Sequence, residues 1–285
     1  MTRDYESTVQ LVRDAVVTAG SCFREDKKQA YRKALELETN EKAKWVLETI
    51  LKNADAAEKN HCPLCDDTGI PHLLLEVGPA CAVTGKMMEA IKEGVKEGLR
   101  KLPGRPMAIC GDEKERIDQS GGLDTDPAGV EAAPILLREC TENQIRLHVL
   151  MFGGGPAIRA KTSRVFHKHD LQVVLDEITG WAIESVSELG CSPCTLAIGI
   201  GRSHYEAASL MLQAQVDGKY DEQSEMEKEI TRRVNEANIG ALGLGGNTSV
   251  LATFLKVGPQ RASGVRIVCM RPCCCFEPRI ATVMI

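Results

Sequence analysis

The sequence has no long apolar run and no excess of basic residues. No segment approaches the roughly 18 consecutive apolar residues of a membrane-spanning helix, so we expect no membrane insertion. The formal net charge is −5, and no basic run is interleaved with the few aromatic residues, so nucleic-acid binding is not expected. The N-terminus carries acids and lacks the basic segment, apolar run and cleavage site of a secretory signal. We therefore expect a cytoplasmic protein.

Cysteine, in contrast, is abundant, with 12 residues among 285. In a reducing compartment, clustered cysteines are more often metal ligands or catalysts than disulfides. Three groups lie beside turn-forming or glycine-rich sequence and indicate a metal centre: Cys62 and Cys65, Cys191 and Cys194, and Cys273, Cys274 and Cys275. The other cysteines are predicted to be packing or surface thiols: Cys22, Cys81, Cys110, Cys140 and Cys269.

Hydrophobic periodicity predicts a helical opening followed by a mixed sheet. Apolar positions at three- to four-residue spacing predict helices over 5–20, 24–38, 40–58, 80–102, 171–189, 205–215 and 222–238. Strands are predicted over 71–77, 134–138, 144–152, 196–201, 250–257, 265–270 and 279–285. The aperiodic stretch 103–131 is predicted to be a functional loop. We expect an α/β (mixed α+β) fold in which residues 1–285 form one domain with a helical N-terminal segment, 1–60.

Two other patterns leave alternatives open. The pairs CPLC and CSPC would suit a four-sulfur zinc site, but they lie about 125 residues apart and leave the third cysteine group without a role. The glycine clusters at 153–155 and 240–246 either hold an anionic ligand on backbone amides or form tight turns. Gly199 and Gly201 lie at the end of the strand predicted over 196–201 and before a predicted helix, but they lack the third glycine of a dinucleotide-binding motif.

The cysteine and glycine segments follow one another in the order found in a known family. The segments that match it most strongly are Cys65-Asp66-Asp67-Thr68-Gly69, residues 191–201, and IGALGLGGNT at 239–248. Over roughly residues 5–285 the chain resembles the alpha subunit, or catalytic N-terminal region, of the class I fumarase and L(+)-tartrate dehydratase family of iron-sulfur hydro-lyases. The resemblance implies a 4Fe-4S cluster held by three cysteines, with Cys65 as the first and Cys191 as the second. One iron then has no protein ligand and serves as a Lewis acid for the substrate hydroxyl and carboxylate.

The third cysteine has two candidates. Counting back from Arg279, as in the Cys-x-x-x-Arg ending of the family, selects Cys275, which we prefer. Counting forward without gaps from Gly246 selects Cys273 as the alternative.

The resemblance also assigns substrate-side roles. Asp67 takes the position of the active-site aspartate, Arg100 that of the carboxylate-binding arginine, and Gly155 that of a glycine whose backbone contacts substrate. A second interpretation of Arg100 is a charge that stabilises a helix C-terminus. Departures from the family pattern include Asp66 in place of glutamine and Arg202 in place of glycine. They affect substrate contacts more than cluster ligands.

The resemblance therefore implies reversible hydration and dehydration of a small hydroxy-dicarboxylic acid, of the fumarate/malate or tartrate/oxaloacetate type. It also implies a separate beta subunit as partner and pairing between alpha subunits. The alternative is a cysteine-rich zinc-binding or cluster-carrying protein without hydro-lyase activity.

Overall fold

The computed structural model describes residues 4–285. The chain divides into two compact units. The first unit comprises Met1–Phe23, Ala54–Gly153 and Arg279–Ile285, and the second comprises Arg24–Asn53 and Gly154–Pro278. The expectation that 1–285 functions as one domain stays a prediction.

Helices open the chain and strands close it. The helices are α1 (Tyr5–Ser21), α2 (Glu25–Leu37), α3 (Glu41–Asn60), α4 (Gly85–Lys101), α5 (Glu113–Asp118), α6 (Gly154–Arg159), α7 (Leu171–Leu189), α8 (His204–Asp217) and α9 (Glu225–Asn235). The strands are β1 (Ile70–Val77), β2 (Leu136–Glu139), β3 (Ile145–Phe152), β4 (Lys161–Phe166), β5 (Cys194–Gly201), β6 (Val250–Val257), β7 (Val265–Cys273) and β8 (Ile280–Met284).

The first unit is a four-stranded sheet packed against α1 and α4. The strand order is β2-β1-β3-β8, with β1 and β2 parallel and the other pairs antiparallel. One face of the sheet, including Leu73 and Leu147, joins both helices in a buried apolar core. The two helices approach closely because α4 carries glycine at the contact: a Cβ on Gly94 would lie 2.6 Å from the Val12 Cβ.

The second unit contains a sheet covered on both faces. Its strand order is β4-β7-β5-β6, with β5 and β6 parallel and the other pairs antiparallel. Strand β5 is buried along its whole length. Its residues Leu196, Ile198 and Ile200 join the apolar core formed with α7 and α9, and the alternate residues face α8. A Cβ on Gly199 would lie 2.1 Å from the Ala207 carbonyl oxygen, so glycine permits this approach of α8.

The predicted mixed α/β fold and its N-terminal helices are confirmed. The bounds of α7 and β6 are those predicted, whereas β4 was missed because only Val165 of its six residues is buried. The loop prediction for 103–131 was wrong in part, since this stretch contains α5 and a 3₁₀ turn, Pro127–Val130. Helix α5 is short and polar, and the 3₁₀ turn spans only four residues, so neither shows a hydrophobic period.

Candidate active site

Cys65 and Asp67 lie in a turn of the first unit, between α3 and β1. The turn is ordered by Asp66, whose Oδ1 accepts a hydrogen bond from the Cys65 thiol at 3.3 Å and another from the Asp67 amide at 2.9 Å. The thiol contact is the main reason that the pKa of Asp66 is lowered. The aspartate that departs from the family pattern is therefore the residue that shapes the turn.

Arg279 supports the same turn from the opposite end of the chain. Its side chain is 2% exposed, and it donates through Nη1 to the Asp67 carbonyl at 2.7 Å and through Nε to the Met151 carbonyl at 3.2 Å. Gly69 has φ +92°, and a Cβ there would lie 2.6 Å from the Arg279 Nη2. This supporting role of Arg279 was not predicted from the sequence, where the residue served only to select Cys275.

Thr68, beside Asp67, holds a buried polar atom. Its Oγ1 has no hydrogen-bond partner among residues 4–285, although the side chain is only 4% exposed. The hydroxyl packs against Gly104, where an added Cβ would lie 2.1 Å from this oxygen.

Arg100 is already paired with an acid. It lies in the last turn of α4, and its Nε and Nη2 donate to the Asp126 carboxylate at 3.0 and 2.7 Å. This pairing lowers the pKa of Asp126, which also accepts from the Ala128 amide at the start of the 3₁₀ turn. Asp126 was not predicted from the sequence, and its carboxylate accepts the two hydrogen bonds from Arg100 that a substrate carboxylate could accept.

The second unit brings Cys191 and Cys275 together. Cys191 follows Gly190, which ends α7 in the left-handed conformation. The Cys275 amide donates to the Cys191 carbonyl at 2.8 Å. Hydrogen bonds with the Cys191 and Cys274 thiols, together with burial, raise the pKa of Cys275 well above its usual value. Cys191 is exposed, so one of the two thiols is open to solvent.

Cys273 has a different environment. It ends β7, pairs with Thr195 of β5 and is fully buried. Its Sγ lies 3.5 Å from the Gln215 Oε1 of α8, and burial raises its pKa well above the usual value. Cys194, on β5, is likewise fully buried. Neither thiol shares the exposure of Cys191.

A buried polar network supports the Cys275 turn. Within α2, Lys27 Nζ donates to the Glu277 carbonyl and the Tyr31 hydroxyl donates to the Cys275 carbonyl, each at 2.7 Å. Arg271 pairs with Glu277 through two hydrogen bonds of 3.0 Å. Burial lowers the pKa of Lys27 to about 8, although the neighbouring cysteines and Glu277 oppose this shift. The network was not predicted from the sequence, in which its signal is the i,i+4 spacing of Lys27 and Tyr31 on α2.

The second glycine cluster is a tight turn next to Cys191. Ser192 Oγ donates to the Gly240 carbonyl at 2.6 Å, and the Gly240 amide donates to Ser249 Oγ at 3.0 Å. The Gly245 amide donates to the Ile239 carbonyl at 2.9 Å. These amides are used within the turn, which favours the turn interpretation over the ligand interpretation for 240–246.

Gly155 lies near the start of α6, and a Cβ at this position would meet no atom within 4 Å. Thus the space beside its backbone is open.

Within either unit, no three Cys, His, Asp or Glu side chains among residues 4–285 are grouped as metal ligands. Cys191 and Cys275 are the predicted ligands that one unit brings together, and their soft thiol donors fit an iron-sulfur cluster.

Comparison with known proteins defines the class of enzyme. The fumarate hydratase (Fumerase) family matches residues 9–283. A putative L(+)-tartrate dehydratase subunit alpha of Methanocaldococcus jannaschii is 28% identical over 275 residues, covering 92% of both chains. A putative class I fumarate hydratase of Geobacillus stearothermophilus is 26% identical over 274 residues, covering 90% of this chain and 50% of that protein. The L(+)-tartrate dehydratase subunit alpha of Escherichia coli is 22% identical over 244 residues, covering 83% of this chain and 77% of that one.

These similarities define a carbon–oxygen lyase of the hydro-lyase class. The chain belongs to the fumarate hydratase family, and the resemblance drawn from its cysteine and glycine motifs is confirmed. No helix within residues 4–285 is both long enough and apolar enough to span a membrane.

Proposed function

We propose that the chain is the alpha subunit of a two-subunit, iron-sulfur-dependent enzyme that adds water to, or removes it from, a small hydroxy-dicarboxylic acid. The substrate is of the fumarate/malate or tartrate/oxaloacetate type. The observation that carries this proposal is the pairing of an exposed thiol, Cys191, with Cys275 on a turn held by buried hydrogen bonds. Relatives named as alpha subunits support a separate beta subunit, and we propose alpha–alpha pairing as well.

We assign Cys65, Cys191 and Cys275 as ligands of a 4Fe-4S cluster. Cys275 is favoured over Cys273 because its amide and thiol both contact Cys191, whereas the Cys273 thiol is directed to Gln215. When bound, such a cluster supplies an iron without a protein ligand, which can polarise the substrate hydroxyl and carboxylate.

The substrate side is assigned to the first unit and to α6. Arg100 would bind a substrate carboxylate, which has the charge and shape of the Asp126 carboxylate that it holds at 2.7 and 3.0 Å. Asp67 would accept or donate a proton at its carboxylate, on a turn whose carbonyl is anchored by Arg279. Gly155 would offer its backbone to substrate, in keeping with the open space beside it.

The test is anaerobic purification with a co-expressed beta-type subunit, followed by iron, sulfide and zinc analysis and an absorbance assay with fumarate, malate and tartrate. Cys275→Ser should lose the cluster and the activity, and the matched variant Cys273→Ser should retain both. The reverse pattern would move the third ligand to Cys273. Stoichiometric zinc without sulfide would refute the cluster assignment and favour the zinc-binding alternative. A cluster without activity on any of the acids would favour a cluster carrier.

A further inference from the structure

The second unit contains an apolar cavity that shares no residue with the proposed active site. Its volume is about 520 Å³, which lies within the range of small-molecule pockets. The apolar wall is formed by the first half of α7 and by strands β5 and β6: Val174, Leu175, Ile178, Ile200 and Leu255. The rim carries polar residues: His167, His169, Asp170, Gln260 and Arg266.

Arg266 places a positive charge on the apolar face of the sheet. It lies on β7 opposite the buried Val165, and strand alternation puts it on the same face as Val268 and Met270, which belong to the apolar core. Its Nη1 donates to the Ser263 and Val265 carbonyls at 3.2 and 3.0 Å. No acid of residues 4–285 forms an ion pair with it, so hydrogen bonds hold the guanidinium but no anion neutralises its charge.

Three of the other polar rim residues form hydrogen bonds of their own. His167 donates through Nε2 to the Ser263 carbonyl at 2.7 Å and accepts the His169 amide at Nδ1 at 2.8 Å. Asp170 is committed to the start of α7, where its Oδ1 accepts the Gln172 amide at 2.8 Å. Gln260 donates to the Gly258 carbonyl at 2.9 Å.

We propose that this cavity binds an amphipathic monocarboxylate, with the carboxylate on the Arg266 guanidinium and an aliphatic or aryl tail among Val174, Ile178 and Leu255. Removal of the tail from water favours binding, and the ligand carboxylate supplies the negative partner that no acid of residues 4–285 provides for Arg266. A ligand of this class has one carboxylate and an apolar body, so it differs from the small polar acids proposed for the active site. The proposal does not depend on that function.

The test uses the full chain, together with its beta-type subunit when they copurify, and octanoate as the probe in isothermal titration calorimetry. Octanoate should bind saturably, and 1-octanol, with the same tail and no charge, should bind at least about tenfold more weakly. Arg266→Gln should weaken octanoate by a similar factor and leave 1-octanol unchanged. Arg266→Lys should retain binding above that of Arg266→Gln, and it covers the case in which the glutamine variant fails to fold.

Two further variants test the position of the ligand. Arg261→Gln, a nearby exposed arginine outside the cavity lining, should bind octanoate as the wild type does. Val257→Trp, at a half-exposed position on the rim, should block the tail of both probes. No saturable octanoate binding, or equal binding by the wild type, Arg266→Gln and Val257→Trp, would overturn the proposal. In that case an apolar segment of a protein partner becomes the candidate occupant of the cavity.

Discussion

Replacement of Glu277 by glutamine tests the buried ion pair beneath the Cys275 turn. The side chains of Arg271 and Glu277 are 4% and 0% exposed and share two hydrogen bonds of 3.0 Å. Lys27, also fully buried, donates to the Glu277 backbone carbonyl, and the negative charge of Glu277 partly opposes the lowering of the Lys27 pKa. Glutamine keeps the size of the side chain and removes its charge.

The expected loss follows from the burial. Removal of one partner of a buried ion pair typically costs about 3–5 kcal/mol, because the remaining charge is left without compensation. The amide oxygen of the introduced glutamine would still accept one hydrogen bond, so we expect the lower end, about 3 kcal/mol, in the free energy of unfolding. The double variant Arg271→Met with Glu277→Leu removes both charges and should lose less than Glu277→Gln alone.

The assay is equilibrium urea unfolding under reducing, anaerobic conditions. The wild type, the single variants Arg271→Met and Glu277→Leu and their double variant are measured as a cycle, beside Glu277→Gln. Arg232→Gln serves as the matched control, since its ion pairs with Glu229 and Glu236 are exposed and should contribute less than about 1 kcal/mol. A loss below about 1 kcal/mol for Glu277→Gln, or a double variant that loses more stability than Glu277→Gln, would refute the reasoning.

Three further outcomes are expected. Gly69→Ala should lower the free energy of unfolding by more than about 1 kcal/mol, because φ is +92° and a Cβ would have no room. Gly155→Ala should leave stability in urea nearly unchanged, because the space beside its backbone is open. Any loss of turnover in Gly155→Ala therefore reports on substrate contact. Asp126→Asn should lower the KM for the dicarboxylate by up to about fivefold, since Asp126 competes with substrate for Arg100 and their exposed ion pair contributes at most about 1 kcal/mol. An unchanged KM would argue against carboxylate binding at Arg100. Burial lowers the pKa of His148 in the folded protein, so the unfolded chain takes up a proton at a higher pH than the folded one does. The free energy of unfolding should therefore fall as the pH drops below about 6.5. An equal decline in His148→Gln would contradict this origin.

Much of the local structure was predictable because it depends on neighbours in sequence. Helix α7 begins after Asp170, whose side chain caps it, and ends at Gly190 in the left-handed conformation. Both signals are visible in the sequence. Strand β4 was not predictable, since five of its six positions are not buried and it shows no apolar run.

The sequence by itself determined the family, the order of most helices and strands, and the short set of cysteines from which cluster ligands are proposed. Only the tertiary structure decided how the site is supported. Arg279 reaches the Asp67 carbonyl across 212 residues, Tyr31 reaches the Cys275 carbonyl across 244, and Lys27 reaches the Glu277 carbonyl across 250. Helix and strand periodicity reports contacts within a few residues, so it cannot tell a charged side chain that faces solvent from one that is buried against a distant carbonyl. In this protein that distinction separates surface charges from the groups that hold the candidate site.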